Sequence, residues 1–221
     1  MTEPQPSIYP FGIRIDEPVG TLTDILVTFV CFYAYYQLNK RKLPGRSQFY
    51  FRYYFLLMGV ATLSGGLIGH GFLYALDFGW KLPGWIIGMI SVALVERSAI
   101  AHARPLIRPR IGKFFLIFNL IELLIIMTIT MITLDFTWVQ IHSGYGLLAI
   151  VATFHAFVWY CTRDTGSFII MGGVAITGVA SIVFMNELSI HTWFNYLDLS
   201  HILMAIAAYV TYLGGLRLQK R

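Results

Sequence analysis

Apolar residues fall into seven long stretches that are separated by short polar segments. Each stretch approaches the roughly 20 residues that an α-helix needs to cross a bilayer. The predicted spans cover about residues 22–38, 50–76, 85–103, 114–134, 136–161, 167–185 and 193–216. Because the spans and their connections use nearly all of the 221 residues, the sequence predicts one all-α domain over residues 1–221, a seven-helix transmembrane bundle.

The basic residues alternate along the chain. Nearly all of them lie in the connections after spans one, three and five and at the C-terminus, whereas the other connections and the N-terminus hold only Arg14 and Lys81. The positive-inside rule therefore predicts an outside N-terminus and a cytoplasmic C-terminus. Membrane topology also accounts for the net charge of +5 without nucleic acid as a partner. The short loops favour a bacterial inner membrane protein, and no feature of the sequence indicates an oligomeric state.

Several ionisable residues lie inside the predicted spans. His70, His142, Asp198 and His201 fall at one depth, roughly 8–12 Å below the outer surface at 1.5 Å per helical residue. Buried ionisable groups are costly in a membrane and are functional candidates by default. Two imidazoles and a carboxylate suit zinc, so His70, Asp198 and His201 are candidate zinc ligands, which requires spans two and seven to be neighbours. In the alternative interpretation, each of these residues bonds a different neighbour.

Other polar residues have structural interpretations. Asn119 and Glu122 lie three residues apart on one helical face, and Glu122 is expected to point into the bundle and to be hydrogen-bonded there. The adjacent Glu96 and Arg97 predict an ion pair or a snorkelling pair. Asp24 is expected to be an ordinary residue of a helix first turn, where the helix dipole favours a negative charge.

Two motifs resemble those of the CREST superfamily of seven-span membrane hydrolases, which includes alkaline ceramidases and the adiponectin-receptor group. That superfamily carries Ser-x-x-x-His in span two, an Asp beyond it, and His-x-x-x-His in span seven. Here the serine spacing differs, and glycine stands at position 66, where the family has serine. In span seven, Leu197 replaces the first histidine. The corresponding residues in this chain are Ser64, His70, Asp77, Asp198 and His201.

The resemblance implies a zinc-assisted hydrolase of lipid amides or esters, with a membrane lipid as substrate. Zinc would lower the pKa of its bound water from 15.7 towards about 7. The implied roles are zinc ligation by His70, Asp198 and His201, proton acceptance by Asp77 or His142, and oxyanion stabilisation by Ser64.

Two other function classes remain open at the level of sequence. One is a haem-binding electron carrier, in which His70 would face His201 or His142. His142 and His155 are thirteen residues apart, hence on nearly opposite helical faces, and cannot serve two stacked haems from one helix. The other class is a transporter, receptor or assembly protein without catalytic activity, which seven spans fit equally well.

Overall fold

The computed structural model describes residues 5–219. In this range seven helices are long and apolar enough to cross a membrane, and the only β-structure consists of two isolated bridges. The helices are α1 Pro18–Arg41, α2 Arg46–Gly71, α3 Phe78–Leu106, α4 Pro109–Thr133, α5 Thr137–Thr162, α6 Thr165–Met185 and α7 Tyr196–Arg217. The predicted all-α bundle of seven spans is confirmed, and the chain is an integral membrane protein.

Two helix boundaries differ from the predictions in ways that affect the candidate site. Helix α1 begins at Pro18, four residues earlier than expected, because proline favours the first helical position. Asp24 therefore lies in the second turn inside the bundle, not in the first turn as expected. Helix α2 ends at Gly71, after a π-helical segment, Gly65–Gly71, that holds four glycines and carries His70.

Six of the helices pack in a circular order, α1, α2, α3, α5, α6 and α7. Helix α4 packs on the outside of this ring against α3 and α5, and its apolar window is the least buried of the seven. The central core draws on all six ring helices, with Val27, Phe51, Val95, Val151 and Ile170 among its members. A bundle packed in this way places inward-facing polar side chains between the helices.

Small residues allow helices α6 and α7 to pack closely against each other. A Cβ atom added to Gly214 of α7 would lie 2.9 Å from both the Gly166 carbonyl oxygen and the Ile170 nitrogen of α6. Transmembrane helices commonly use small residues in this way, since apolar lipid gives little hydrophobic drive for association. The glycines of α6 and α7 therefore fix the position of α7.

Helix α1 lies between α2 and α7, packing along both of them. The zinc site predicted from the sequence required α2 and α7 to be neighbours. The two helices do touch at the far end of the bundle, where Gln48 of α2 donates to the Gly215 carbonyl oxygen of α7 at 2.8 Å. Near the start of α1 their side chains meet across Gly20. A Cβ atom at Gly20 would lie 3.8 Å from His70 Nδ1 and 3.7 Å from Asp198 Oδ1, so glycine leaves space for side chains from both sides.

The orientation of the bundle remains a prediction. A reporter fused after Arg221 should read cytoplasmic, and a tag placed before Thr2 should be reachable from outside, because basic residues collect at the end of the bundle where α1 ends. Both fusion points lie outside the described residues. A C-terminus on the outer side would contradict the orientation. As a control, a reporter in the loop between α2 and α3 should read as outside.

Candidate functional site

A cluster of one carboxylate and two imidazoles lies at the end of the bundle where α1 begins. Its members are Asp24 of α1, His70 of α2 and His201 of α7, hereafter the Asp24 cluster. One ligand atom from each residue lies within 4.8 Å of the other two. Asp24 and His201 are buried, and the His70 side chain is 15% exposed. Three helices therefore bring three metal-ligand side chains to one point.

The two imidazoles face the two oxygens of one carboxylate. His70 Nε2 lies 3.7 Å from Asp24 Oδ2, and His201 Nε2 lies 3.5 Å from Asp24 Oδ1. These separations are too long for good hydrogen bonds. Ligand atoms at 2.0–2.1 Å from a tetrahedral zinc ion are about 3.4 Å apart. The observed spacings fit ligands around a common ion better than they fit direct bonding.

The other ring nitrogen of each histidine is held by an oxygen atom. His70 Nδ1 bonds Glu17 Oε2, and His201 Nδ1 lies 3.1 Å from Thr23 Oγ1. Thr23 donates its own hydroxyl hydrogen to a backbone carbonyl of α1, so its oxygen accepts from His201. Both Nδ1 atoms therefore carry hydrogen, and in the neutral rings the Nε2 atoms, which face the Asp24 oxygens, hold the lone pairs. Histidines that bind metal are commonly oriented in this way.

Glu17 stands at the junction between the N-terminal segment and α1. Its backbone φ of 42° lies in the left-handed region, which a non-glycine residue rarely adopts. Residues with strained backbones are concentrated at functional sites. The hydrogen bond from His70 lowers the pKa of the Glu17 carboxyl below its usual value, against the opposing effect of burial. Glu17 is therefore a carboxylate at neutral pH.

A cavity of about 480 Å³ opens beside the Asp24 cluster, and its lining includes Glu17 and His70. Arg14, Tyr74 and Lys81 lie on the same lining. Arg14 is ion-paired with Asp16 and sits over the Tyr74 ring, 4.7 Å from its centroid. The cavity gives a polar ligand access to one side of His70.

Asp198 lies near the Asp24 cluster, and one of its two carboxylate oxygens is engaged elsewhere, while Oδ1 is buried without a hydrogen bond in the described part of the chain. Its Oδ2 atom accepts hydrogen bonds from Gln5 Nε2 at 2.6 Å and from the Asn195 backbone nitrogen at 2.8 Å. With Asn195 it forms a capping box at the start of α7. Gln5 also accepts from the Val19 nitrogen, so it joins the first turns of α1 and α7. The structure thus places Asp24, not Asp198, between the two imidazoles.

The three residues given catalytic roles by the superfamily resemblance lie elsewhere. Ser64 ends the α-helical part of α2 and packs near Gly84 of α3. Asp77 is exposed, and its side chain has no hydrogen bond or ion pair within residues 5–219. His142 is fully buried and bonds Glu122. The structure brings none of the three to the Asp24 cluster.

The glycine at position 66 has a physical explanation. A Cβ atom at Gly66 would lie 3.0 Å from Asp24 Cβ and 3.1 Å from the Thr21 carbonyl oxygen. The superfamily serine would therefore require α1 and α2 to move apart by a few tenths of an ångström at this level. The close approach that disfavours serine here is the same approach that brings Asp24 towards His70.

Sequence reasoning missed Asp24 and Glu17 as members of the site. The available signal was the dipeptide Glu17-Pro18, because proline at the first helical position would have started α1 earlier and placed Asp24 inside the membrane. Asp24 would then have stood at a depth comparable with His70 and His201. No local signal relates Glu17 to His70, which is 53 residues away.

A separate polar network lies at the opposite end of the bundle. Asp164 caps α6 by accepting from the Ser167 nitrogen, and its Oδ2 atom also accepts from Ser167 Oγ at 2.7 Å and lies 3.0 Å from His102 Nε2. His155 Nδ1 lies 3.0 Å from Ser167 Oγ. Burial alone would raise the pKa of Asp164, but the contacts with His102, Ser167 and the Gln219 nitrogen lower it overall. This network joins α3, α5 and α6, and we interpret it as structural.

A family of unknown function, DUF6962, matches residues 19–220 of the chain. The protein belongs to the DUF6962 family. No curated protein and no solved structure matches the chain. The DUF6962 region contains Asp24, His70 and His201, while Glu17 lies just before it. Because membership leaves the function open, a functional proposal for this protein has to rest on the geometry of the Asp24 cluster.

Proposed function

We propose that this DUF6962 protein is a zinc-dependent membrane hydrolase of lipid amides or esters, with Asp24, His70 and His201 as the metal ligands. The observation that carries the proposal is the arrangement of two Nε2 atoms against the two oxygens of one carboxylate, with both Nδ1 atoms anchored. A bound zinc ion would supply Lewis-acid polarisation of a carbonyl and an activated water. Three protein ligands leave a fourth position for that water.

Glu17 has two roles in this proposal. Its Oε2 atom accepts from His70 Nδ1, which fixes the tautomer of the imidazole. Its side chain is 32% exposed at the cavity but lies on the Nδ1 side of His70, away from the Nε2 atom that faces Asp24. The ionised carboxylate would therefore take the proton of the attacking water through one intervening cavity water. Glu17 therefore replaces Asp77 and His142 as the proposed proton acceptor, and the Ser64 hydroxyl has no role.

The position of the site favours a lipid substrate. The Asp24 cluster lies within the first two turns of α1 and α7 and the last turn of α2, at a level that the carbonyl groups of a lipid reach. Lys81 lines the cavity and provides a cation for a polar or anionic head group. With the proposed orientation, the cavity opens on the outer face, and a bacterial inner membrane remains the proposed location.

A haem protein is less well supported by these contacts. Axial ligation of haem uses two residues on opposite sides of the iron, whereas here a carboxylate faces both histidines. A non-catalytic receptor or transporter that binds zinc shares the ligand geometry. Only a measurement of hydrolytic activity distinguishes such a receptor or transporter from the hydrolase.

The test is hydrolysis by zinc-loaded protein in lipid nanodiscs, with a ceramide and a phosphatidylcholine that carry the same fluorescent acyl chain. We expect release of the free fatty acid from at least one substrate, and loss of release with a chelator. Glu17→Gln keeps an acceptor oxygen for His70 but weakens the outer shell, so at saturating zinc it should lower kcat by about 100-fold or more, since a general base contributes 10²–10⁴.

The matched control is Asp77→Asn, which removes the exposed carboxylate proposed from the superfamily resemblance. It should leave the rate unchanged. If zinc is bound but neither lipid is cleaved, the hydrolase proposal is wrong for these substrate classes, and a zinc-binding receptor or transporter becomes the better description. If zinc is not bound at all, both descriptions lose their basis.

A further inference from the structure

A second group of metal-ligand side chains lies between α3, α4 and α5. It consists of Glu96, Glu122 and His142, hereafter the Glu96 cluster, with one ligand atom of each within 4.8 Å of the others. The prediction that Glu122 faces the interior and is hydrogen-bonded there is confirmed, since its side chain is 12% exposed and bonds His142. The cluster shares no residue with the Asp24 cluster.

Glu96 is the unexplained member. It is fully buried, and neither carboxylate oxygen has a hydrogen-bond partner within residues 5–219. The predicted pair with Arg97 is absent, because Arg97 bonds Asn119 Oδ1 at 2.8 Å and the Leu116 carbonyl oxygen on α4. Asn119 donates one amide hydrogen to the Ala93 carbonyl oxygen. Its amide also approaches Glu96, but without a hydrogen bond of good geometry to either carboxylate oxygen. A buried carboxylate in this state is costly unless something else binds it.

The opposing helix leaves space for this carboxylate. A Cβ atom at Gly146 would lie 2.6 Å from Glu96 Oε1, so a glycine is needed on α5 at this point. Gly146 belongs to a π-helical segment, Tyr145–Ala152, that begins shortly after His142. Single π-helical turns occur frequently at functional sites. His70 of the Asp24 cluster lies on the other π-helical segment of the described chain.

The hydrogen bonds of His142 determine what it offers to the cluster. Its Nε2 atom lies 3.0 Å from the Met89 carbonyl oxygen, which can only accept, so Nε2 carries hydrogen. In the neutral ring Nδ1 then has a lone pair. Nδ1 lies 2.9 Å from both oxygens of Glu122, which are acceptors when ionised. The contact therefore requires a shared proton or a cation between acceptors.

We propose that the Glu96 cluster binds a divalent transition-metal ion through Glu96, Glu122 and Nδ1 of His142. A divalent charge balances two carboxylates in the membrane interior and gives the Glu96 oxygens a partner. A proton shared by His142 and Glu122 would leave the Glu96 oxygens without a binding partner. Two oxygen donors and one imidazole are compatible with Mn²⁺ as well as Zn²⁺. Mn²⁺ serves as the test ion because it is detected by electron paramagnetic resonance.

The experiment uses the full chain with the Asp24 cluster disabled by His70→Ala and His201→Ala. Mn²⁺ alone is titrated into this double variant, and we expect about one high-affinity ion per chain. Adding Glu96→Gln should weaken that binding by about 100-fold or more, because even outer-shell changes cost 10–100-fold. Glu122→Gln should act alike, and Asp77→Asn, which removes an exposed carboxylate, should have no effect.

Thermal unfolding of each variant in detergent checks that the fold is kept. Mn²⁺ should raise the midpoint of the double variant and not that of the Glu96→Gln version. If Glu96→Gln leaves Mn²⁺ binding unchanged, or if the double variant binds no Mn²⁺, the proposal is overturned and a shared proton accounts for the cluster. Because the Asp24 cluster is absent throughout, these results are independent of the hydrolase proposal.

Discussion

Replacing either His70 or His201 with alanine is expected to remove the zinc ion of the Asp24 cluster, and replacing both should add little to the loss. Each imidazole supplies one of three protein ligands, and two remaining ligands hold zinc poorly. Residues that share one ion are therefore non-additive. The measurement is metal content and zinc affinity of detergent-purified protein, for both single variants and the double variant.

Variants of the neighbouring carboxylates separate the observed site from the one that the sequence indicated. Asp24→Asn should lose the ion, because it removes the carboxylate that faces both imidazoles. Asp198→Asn should keep it, because Asp198 is engaged with Gln5 and the start of α7. If Asp198→Asn loses the ion and Asp24→Asn keeps it, Asp198 is the third ligand. Unchanged metal content in all of these variants, with additive losses of thermal stability, would mean that the cluster is structural.

Asp164→Ala is expected to be the most destabilising single change outside the two clusters. The side chain is fully buried and caps α6 while bonding His102 and Ser167. Breaking a buried charged contact of this kind costs about 3–5 kcal/mol. Thermal or denaturant unfolding in detergent measures the loss. Asp135→Ala is the matched control, since Asp135 is also a loop aspartate that accepts a backbone bond, but it is exposed.

The same residue predicts a dependence of stability on pH. The pKa of Asp164 is lower in the folded protein than its ordinary value. Its contribution is therefore fully present above the unfolded pKa of about 3.9 and is lost as the pH falls towards the folded pKa. Below about pH 4 the difference between wild type and Asp164→Ala should shrink. A difference that stays constant with pH, or an Asp164→Ala loss no larger than that of Asp135→Ala, would contradict this account.

The histidines of the candidate site were predictable, whereas its carboxylate was not. Hydropathy and the 1.5 Å rise per residue placed His70 and His201 at one depth from opposite chain directions, and their rings lie with centroids 5.7 Å apart. Depth cannot choose among several acids at the same level. Asp24 reaches the level of Asp198 only because α1 starts early, at Pro18, and the capping box of α7 then engages Asp198.

His142 illustrates the same limit. Its depth matched that of His70, but depth says nothing about direction around the helix or about which helix lies opposite. In the bundle α5 packs against α3, α4 and α6, so His142 meets Glu122 and the Met89 carbonyl oxygen and not the Asp24 cluster. The order of helices around the ring is set by glycine contacts such as Gly214 with α6, which depend on residues far apart in the chain.

The sequence alone determined the seven membrane spans and the shared level of His70 and His201, because hydropathy and helical rise are local properties that each segment carries by itself. The tertiary structure decided which ionisable residues meet. It placed α1 between α2 and α7, set Asp24 against two imidazoles across the small surface of Gly20 and Gly66, and gathered Glu96, Glu122 and His142 into a separate cluster. These contacts join residues on different helices, and close packing and hydrogen bonding between helices select them.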